Sequence, residues 1–171
     1  MDTSLAATVT AFSLCQIDKT ENMIHTVYLS LGTNLGNLKA NMHMATDKIE
    51  ELIGTVVCRS ALYETKPWGF DSQNNFLNAC ICVSTPLLPH ELLEKTQDIE
   101  RMMGRLQKSQ DGVYHDRVID IDILLYDNEK MESQELTIPH PLMLERDFVM
   151  VPLREIYPEV DQVLEKLNKG F

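Results

Sequence analysis

Two aspartates separated by one isoleucine stand in the run Arg117-Val118-Ile119-Asp120-Ile121-Asp122-Ile123-Leu124-Leu125-Tyr126-Asp127. The run is rich in Ile, Val and Leu and ends at a turn signal, Asp127-Asn128, so it reads as a buried strand. Successive side chains of a strand point to opposite faces. Ile119, Ile121, Ile123 and Leu125 therefore share a core face, and Asp120 and Asp122 share the other. Two carboxylates about 7 Å apart along one face repel each other unless a cation lies between them. Magnesium fits, because it takes oxygen ligands and is commonly held by one or two carboxylates plus substrate phosphates. Arg117, at the start of the strand, is near enough to meet the same phosphates. The competing reading is a solvated sheet face with basic neighbours, since alternating polar positions are normal in half-exposed strands.

Other stretches carry residues suited to a small-molecule site. His25 to Leu31 reads as a strand that runs into the turn-rich Gly32-Thr33-Asn34-Leu35-Gly36-Asn37, and Gly32 at its end suggests a tight turn or close approach by a ligand. This glycine spacing is not a P-loop and lacks its lysine. Residues 64 to 75 hold Lys66-Pro67-Trp68-Gly69-Phe70, a rigid aromatic loop suited to capping a flat ligand or to packing on a sheet edge. Phe76 and Asn78 fall on one face of a strand from Phe76 to Ser84, where a ring and an amide can meet a heterocycle; a buried amide bonded to backbone is the alternative. Glu100, Arg101 and Arg105 lie near a helix end. His140 stands between Pro139 and Pro141, which hold its backbone extended.

The elements that must position these groups follow from periodicity. Asn37 is an N-cap for a helix carrying Leu38, Met42, Ala45, Ile49 and Leu52, stopped at Gly54. Thr55 to Tyr63 is a second strand and Phe76 to Ser84 a third. Pro89 opens a second helix with Leu92, Leu93, Ile99 and Met103 inward and Gly104 at its end. Arg105 to Asp116 is a polar loop of the length of a lid. The aspartate strand follows, then a strand over Gln134 to Ile138, a helix over Phe148 to Ile156 interrupted at Pro152, and a tail with Val163, Leu164 and Leu167 at helical spacing. The order strand, helix, strand, strand, helix, strand is the α+β, ferredoxin-like βαββαβ pattern with extra C-terminal strands and helices. Helices cover one sheet face and leave the other, with Asp120 and Asp122 on it, open for a site.

The totals narrow the function. At 171 residues with 44% hydrophobic and 24% charged content, a single soluble domain is expected. The net charge of -11 argues against a nucleic-acid-coating protein or a membrane-surface binder. A polyanionic substrate would need the basic residues gathered locally. Cys15, Cys58, Cys80 and Cys82 form no C-x-x-C pair and read as reduced thiols of a cytoplasmic protein rather than a zinc site. No apolar run reaches the length of a membrane span. Met23 directly precedes the first strand, so residues 1–22 are read as an extension or an upstream start, of no assigned role, and 23–171 as one domain.

Several stretches in order carry a resemblance. They are Leu31-Gly32-Thr33-Asn34-Leu35-Gly36, Tyr63-Glu64-Thr65-Lys66-Pro67-Trp68-Gly69, Phe76-Leu77-Asn78-Ala79, Glu100-Arg101-Met102-Met103-Gly104-Arg105, Asp116 through Leu124, Pro139-His140-Pro141 and Arg146-Asp147-Phe148. Over roughly residues 26 to 158 the chain resembles hydroxymethyl-dihydropterin pyrophosphokinase of folate biosynthesis. The resemblance implies pyrophosphoryl transfer from ATP to the pterin hydroxymethyl oxygen, with AMP released. It implies that Asp120 and Asp122 hold two magnesium ions, with Arg105 and Arg117 on phosphates. Gly32, Thr65, Phe76, Asn78 and Phe148 would take the pterin. Gln97, Glu100, Ile123, Thr137, His140 and Arg146 would line the ATP site. The loops at 64–69 and 105–116 would close over the reactants. Gln107 stands where the family has a second loop arginine, with Lys108 beside it, and Tyr114 is matched to a loop tryptophan. The implied partners are the two small-molecule substrates, with no nucleic acid and no membrane; a monomer is the default.

Phosphoryl transfer of this kind needs positioning and charge neutralisation more than covalent help. Two rival readings use the same fold. A two-metal nucleotidyltransferase would release pyrophosphate, and a non-catalytic ligand-binding module would consume no ATP.

Overall fold

In the computed structural model, residues 23–105 and 115–169 are described. The expectations placed on residues 1–22, Gln107, Lys108 and Tyr114 lie outside the described residues. The central strand β1 (His25–Thr33) pairs antiparallel with β4 (Phe76–Thr85) on one side and β5 (Asp120–Tyr126) on the other. Along the outer edge of β4 lie β2 (Thr55–Arg59) and β3 (Tyr63–Thr65). The sheet order β2-β4-β1-β5 is that of a ferredoxin-like βαββαβ unit.

Helices α1 (Leu38–Leu52) and α2 (Pro89–Met102) cover one sheet face. The Asn37 side chain caps α1 by accepting from the Ala40 amide, and Pro89 occupies the first turn of α2. Between them and the sheet lies the main core, with Leu29, Leu31, Ile49, Leu92, Ile99, Ile119 and Ile121. Asp120, Asp122 and Leu124 of β5 and the even-numbered residues of β4 point the other way.

Three expectations change. First, Thr55 to Tyr63 is not one strand. The ladder to β4 slips between Val56 and Cys58, and at Ser60 the hydroxyl accepts from the Cys80 amide while the Ser60 amide donates to the Cys80 carbonyl. A side chain in the ladder interrupts regular pairing, and β3 restarts at Tyr63. Second, Leu125 does not share the face of Ile119, Ile121 and Ile123. Leu29 pairs with Ile123 but Tyr28 with Leu125, so β5 holds an extra residue at Leu124. Such a bulge reverses the alternation beyond it. Leu124 and Leu125 accordingly enter a second core, while Tyr126 returns to the first.

Third, the face carrying Asp120 and Asp122 is open only at one end. After the hairpin β6 (Met131–Glu132) and β7 (Thr137–Ile138) and a helical turn at Met143–Glu145, α3 (Asp147–Ile156) and α4 (Val160–Lys169) fold over the other end. Cys80, Leu124, Leu125, Val149, Met150, Leu153 and Leu164 close that second core. Helix α3 runs through Pro152 rather than breaking there. Burial of Val149, Met150, Pro152 and Leu153 outweighs the one backbone bond that proline removes.

Candidate functional site

The uncovered end of the second face is a cavity of about 170 Å³. Its floor comes from three adjacent strands at one level. Gly32 on β1 pairs in register with Asn78 of β4 on one side and Asp120 of β5 on the other, and Ser30 pairs with Cys80 and Asp122. A side chain at Gly32 would put its Cβ 3.1 Å from Asn78 Oδ1 and 3.8 Å from the Phe76 ring, so glycine keeps the floor low. Gly32 lies inside β1, which runs two residues beyond the expected strand end at Leu31.

One wall is built for a flat, polar ring. Asn78 Nδ2 donates to Thr65 Oγ1 at 2.8 Å, which orients the buried amide across β3 and β4. Phe76 lies beside it and meets Phe70 edge-on at 6.1 Å between centroids. Phe148, at the start of α3, also lines the cavity, 6.2 Å from Trp68. The Arg146 guanidinium lies 4.8 Å from the Trp68 ring and 5.8 Å from the Phe148 ring, and that of Arg117 lies 5.1 Å from Phe76. These are cation–π distances.

The other wall is charged. Asp120 is ion-paired to Arg105 and, at 3.1 Å, to Arg117; Asp122 lies 3.7 Å from Arg146. Desolvation alone would raise the Asp120 carboxyl, but the Arg117 and Arg105 guanidiniums outweigh it and hold the group below the usual carboxylate range. Glu100, buried on α2, accepts from Arg105 at 2.8 Å and from the Ile121 amide at 2.8 Å. It thus ties Arg105 to the strand that carries the aspartates. His140 lines the same cavity, and burial, followed by the charge of Arg146, pushes its imidazole down to about 4. It is therefore neutral at pH 7. Its Nδ1 accepts from the Leu142 amide at 3.2 Å, leaving Nε2 as the N–H donor.

Of the residues singled out from sequence, Gly32, Thr65, Phe76, Asn78, Arg105, Arg117, Asp120, Asp122, His140, Arg146 and Phe148 line this one cavity. Gln97, Glu100, Ile123 and Thr137 do not. Ile123 shares strand parity with Ile121 and packs in the main core; Glu100 is buried behind Arg105; Gln97 lies one turn earlier on α2; Thr137 is in the β6–β7 hairpin. Lys66, Trp68 and Phe70, of the loop read as a cap for a flat ligand, line the cavity too, and so does Ser30, which that reading did not include. Ser30 was accessible from parity, two residues before Gly32 on the same strand. The four basic residues Lys66, Arg105, Arg117 and Arg146 are gathered here in a chain of net charge -11, the local concentration a polyanion requires.

Two hard carboxylates on one strand face fit magnesium. Among the described residues there is no group of three or more His, Cys, Asp or Glu placed to hold a metal ion. Two carboxylates would leave the remaining positions of a magnesium ion to substrate phosphates and water.

Comparison with known proteins bears on this geometry. The family model for 7,8-dihydro-6-hydroxymethylpterin-pyrophosphokinase (HPPK) matches residues 28–158. The 2-amino-4-hydroxy-6-hydroxymethyldihydropteridine pyrophosphokinase of Porphyromonas gingivalis is 49% identical over 133 residues, 77% of this chain and 90% of the relative. Its namesake in Aquifex aeolicus is 44% identical over 135 residues, 79% of this chain and 82% of that protein. A crystal structure of Plasmodium falciparum HPPK-DHPS has the same fold, with a TM-score of 0.64 at 17% identity over 79% of this chain. This chain spans 41% of that longer one. No helix among the described residues is long and apolar enough to cross a membrane.

Proposed function

The chain belongs to the 7,8-dihydro-6-hydroxymethylpterin-pyrophosphokinase family, and we propose that it transfers the pyrophosphoryl group of ATP to the hydroxymethyl oxygen of 6-hydroxymethyl-7,8-dihydropterin, giving AMP and the pterin diphosphate in folate biosynthesis. The observation that carries this reading is the meeting, in one cavity, of the Asp120–Asp122 pair, four basic side chains and an amide flanked by aromatic rings. The ring wall suits a flat heterocycle with an amide-like edge; the charged wall suits a triphosphate.

In this reading Asn78, held by Thr65, reads the pterin edge over the floor that Gly32 leaves open. Phe76 and Phe148 take its two faces. Asp120 and Asp122 would hold two magnesium ions, and these would supply neutralisation of phosphate charge and a lowered pKa of the attacking hydroxyl. Arg105 and Arg117, now turned onto Asp120, transfer hydrogen bonds to phosphate oxygens as charge develops there. Arg146 and neutral His140 bind ATP, His140 as a donor through Nε2. Gln97, Ile123 and Thr137 flank the ATP side from outside the cavity, and Glu100 holds Arg105. Trp68, exposed on the 64–75 loop and stacked on Arg146, shields the reactants from water, which limits hydrolysis of ATP.

Residues 23–171 form the single catalytic domain on this reading. The free thiols of Cys58, Cys80 and Cys82 support a reducing compartment, the cytoplasm. A monomer suffices, since every group invoked belongs to one chain.

Product analysis with ATP, magnesium and the hydroxymethyl pterin tests the proposal. AMP formed one-for-one with a pterin diphosphate is expected. Release of pyrophosphate would move the reading to nucleotidyl transfer, and binding without ATP consumption to a ligand-binding module.

A further inference from the structure

Outside the substrate-facing groups, one carboxylate joins three separate segments at the rim of the cavity. Asp116 Oδ1 accepts from Asn34 Nδ2 at 2.7 Å, and Oδ2 accepts from Asn74 Nδ2 at 2.7 Å. The Ser72 side chain is a third hydrogen-bond partner of the same carboxyl. Asn34 is buried and does more than meet Asp116. Its Oδ1 accepts from the Arg117 amide at 2.8 Å, its own amide donates to the Arg117 carbonyl at 3.1 Å, and Nδ2 reaches the Asn74 carbonyl at 3.4 Å. Arg117 is thereby clamped by its backbone, with its guanidinium delivered to Asp120 and Phe76.

We propose that Asp116 is a positioning residue that couples the pose of the 64–75 loop to that of Arg117, and so sets pterin affinity. The argument is one of connectivity. Asn34 sits at the exit of β1, Ser72 and Asn74 in the loop that brings Lys66, Trp68 and Phe70 to the cavity, and Arg117 immediately before β5. Asp116 does not line the cavity. Its effect passes through neighbours that do.

A carboxylate suits this junction because it is acceptor-only, with about four lone-pair sites for the donors around it. An amide in its place would aim N–H groups at one of the two asparagine N–H groups, and alanine would accept from none. The hydrogen bond from Ser72, together with those from Asn34 and Asn74, holds the Asp116 carboxyl below its ordinary range against desolvation, so the acceptor is charged at neutral pH. The junction is thus a fixed clamp under working conditions, and the loop carries the aromatic cover into place only while it holds.

The inference rests on the proposed pyrophosphokinase activity, but its test has a readout independent of turnover. Trp68 is the only tryptophan in the chain, so its emission reports the loop directly. In full-length D116A and D116N, acrylamide quenching of Trp68 in the absence of substrates should rise by about half or more. KM for the pterin should rise about tenfold while kcat changes less than about threefold, and the melting temperature should stay within a few degrees of wild type. D116E, which restores the acceptor, should recover part of both effects. D161A, which removes a carboxylate paired with Arg154 on the far helices, should leave quenching and KM unchanged. Unchanged quenching in D116A overturns the proposal, whether or not KM moves. So does a melting-temperature loss with wild-type quenching and KM. Failure of the wild-type enzyme to form AMP would sink the pyrophosphokinase reading instead, and the quenching comparison would still decide whether Asp116 holds the loop.

Discussion

The same sheet face serves two ends of this molecule differently. At one end, strands β1, β4 and β5 present Gly32, Ser30, Asn78, Asp120 and Asp122 to a cavity. At the other, the same strands present Tyr28, Cys80, Leu124 and Leu125 to α3 and α4. The change occurs within a few residues along each strand. On β5 it coincides with the bulge at Leu124, which turns a second leucine onto this face. The covered end buries apolar side chains and anchors α3, whose first turn delivers Arg146 and Phe148 to the cavity. The uncovered end buries charge that only cationic neighbours and substrate can compensate. Stability and chemistry are thus drawn from adjacent stretches of the same strands, and changes at the two ends should separate.

The sharpest separation is expected from the aspartates. Asp122→Ala should lower kcat by on the order of a thousandfold or more while the melting temperature moves little, as steady-state kinetics and calorimetry would report. Asp120→Ala should cost as much activity and, in addition, measurable stability, because it removes the carboxylate that pairs with both Arg105 and Arg117. At the covered end the pattern should invert. Leu153→Ala, at a fully buried position, should destabilise by about 3 kcal/mol in urea denaturation. Its kcat, measured well below the melting point, should stay within about twofold of wild type. Equal losses of activity from both ends would remove the distinction.

Two smaller effects would sharpen it. Gly32→Ala should raise the floor against Asn78 and lower kcat/KM for the pterin by on the order of tenfold, with KM carrying most of it. His140 contributes a pH dependence of stability. In the folded protein its pKa is depressed to about 4, whereas the unfolded chain titrates near 6.5. The unfolded state therefore binds the extra proton first as pH falls. The contribution is fully present above pH 6.5 and is lost as pH drops towards about 4. His140→Gln should flatten that part of the profile relative to wild type in denaturation curves collected between those values.

Much of this arrangement was legible in the residues. Period-two alternation alone puts Asp120 with Asp122 and Phe76 with Asn78, and the helical stripes of α1 and α2 identify the opposite face as core. What stayed hidden depends on breaks in those periods or on long-range pairing. The bulge at Leu124 leaves no composition signal in a run of leucines and isoleucines, so parity alone sets Leu125 on the wrong face. The split of the second strand depends on a single serine hydroxyl entering a ladder. The burying of half the second face by α3 and α4 follows from a helix that continues through Pro152. Asn34 was visible in a turn-rich motif, but its bonds to Asp116 and Arg117 span more than eighty residues of chain, and no local pattern encodes them.

The account turns on the claim that Asp120 and Asp122, set on the uncovered end by strand parity, hold the metal ions of the reaction. Manganese can stand in for magnesium and be counted by electron paramagnetic resonance, with a non-hydrolysable ATP analogue and the pterin present. The wild-type chain should retain two ions in the ternary complex, and the D120N/D122N double variant should retain neither at the same free manganese, with its fold intact by circular dichroism. The same count of ions in that double variant would contradict the central claim.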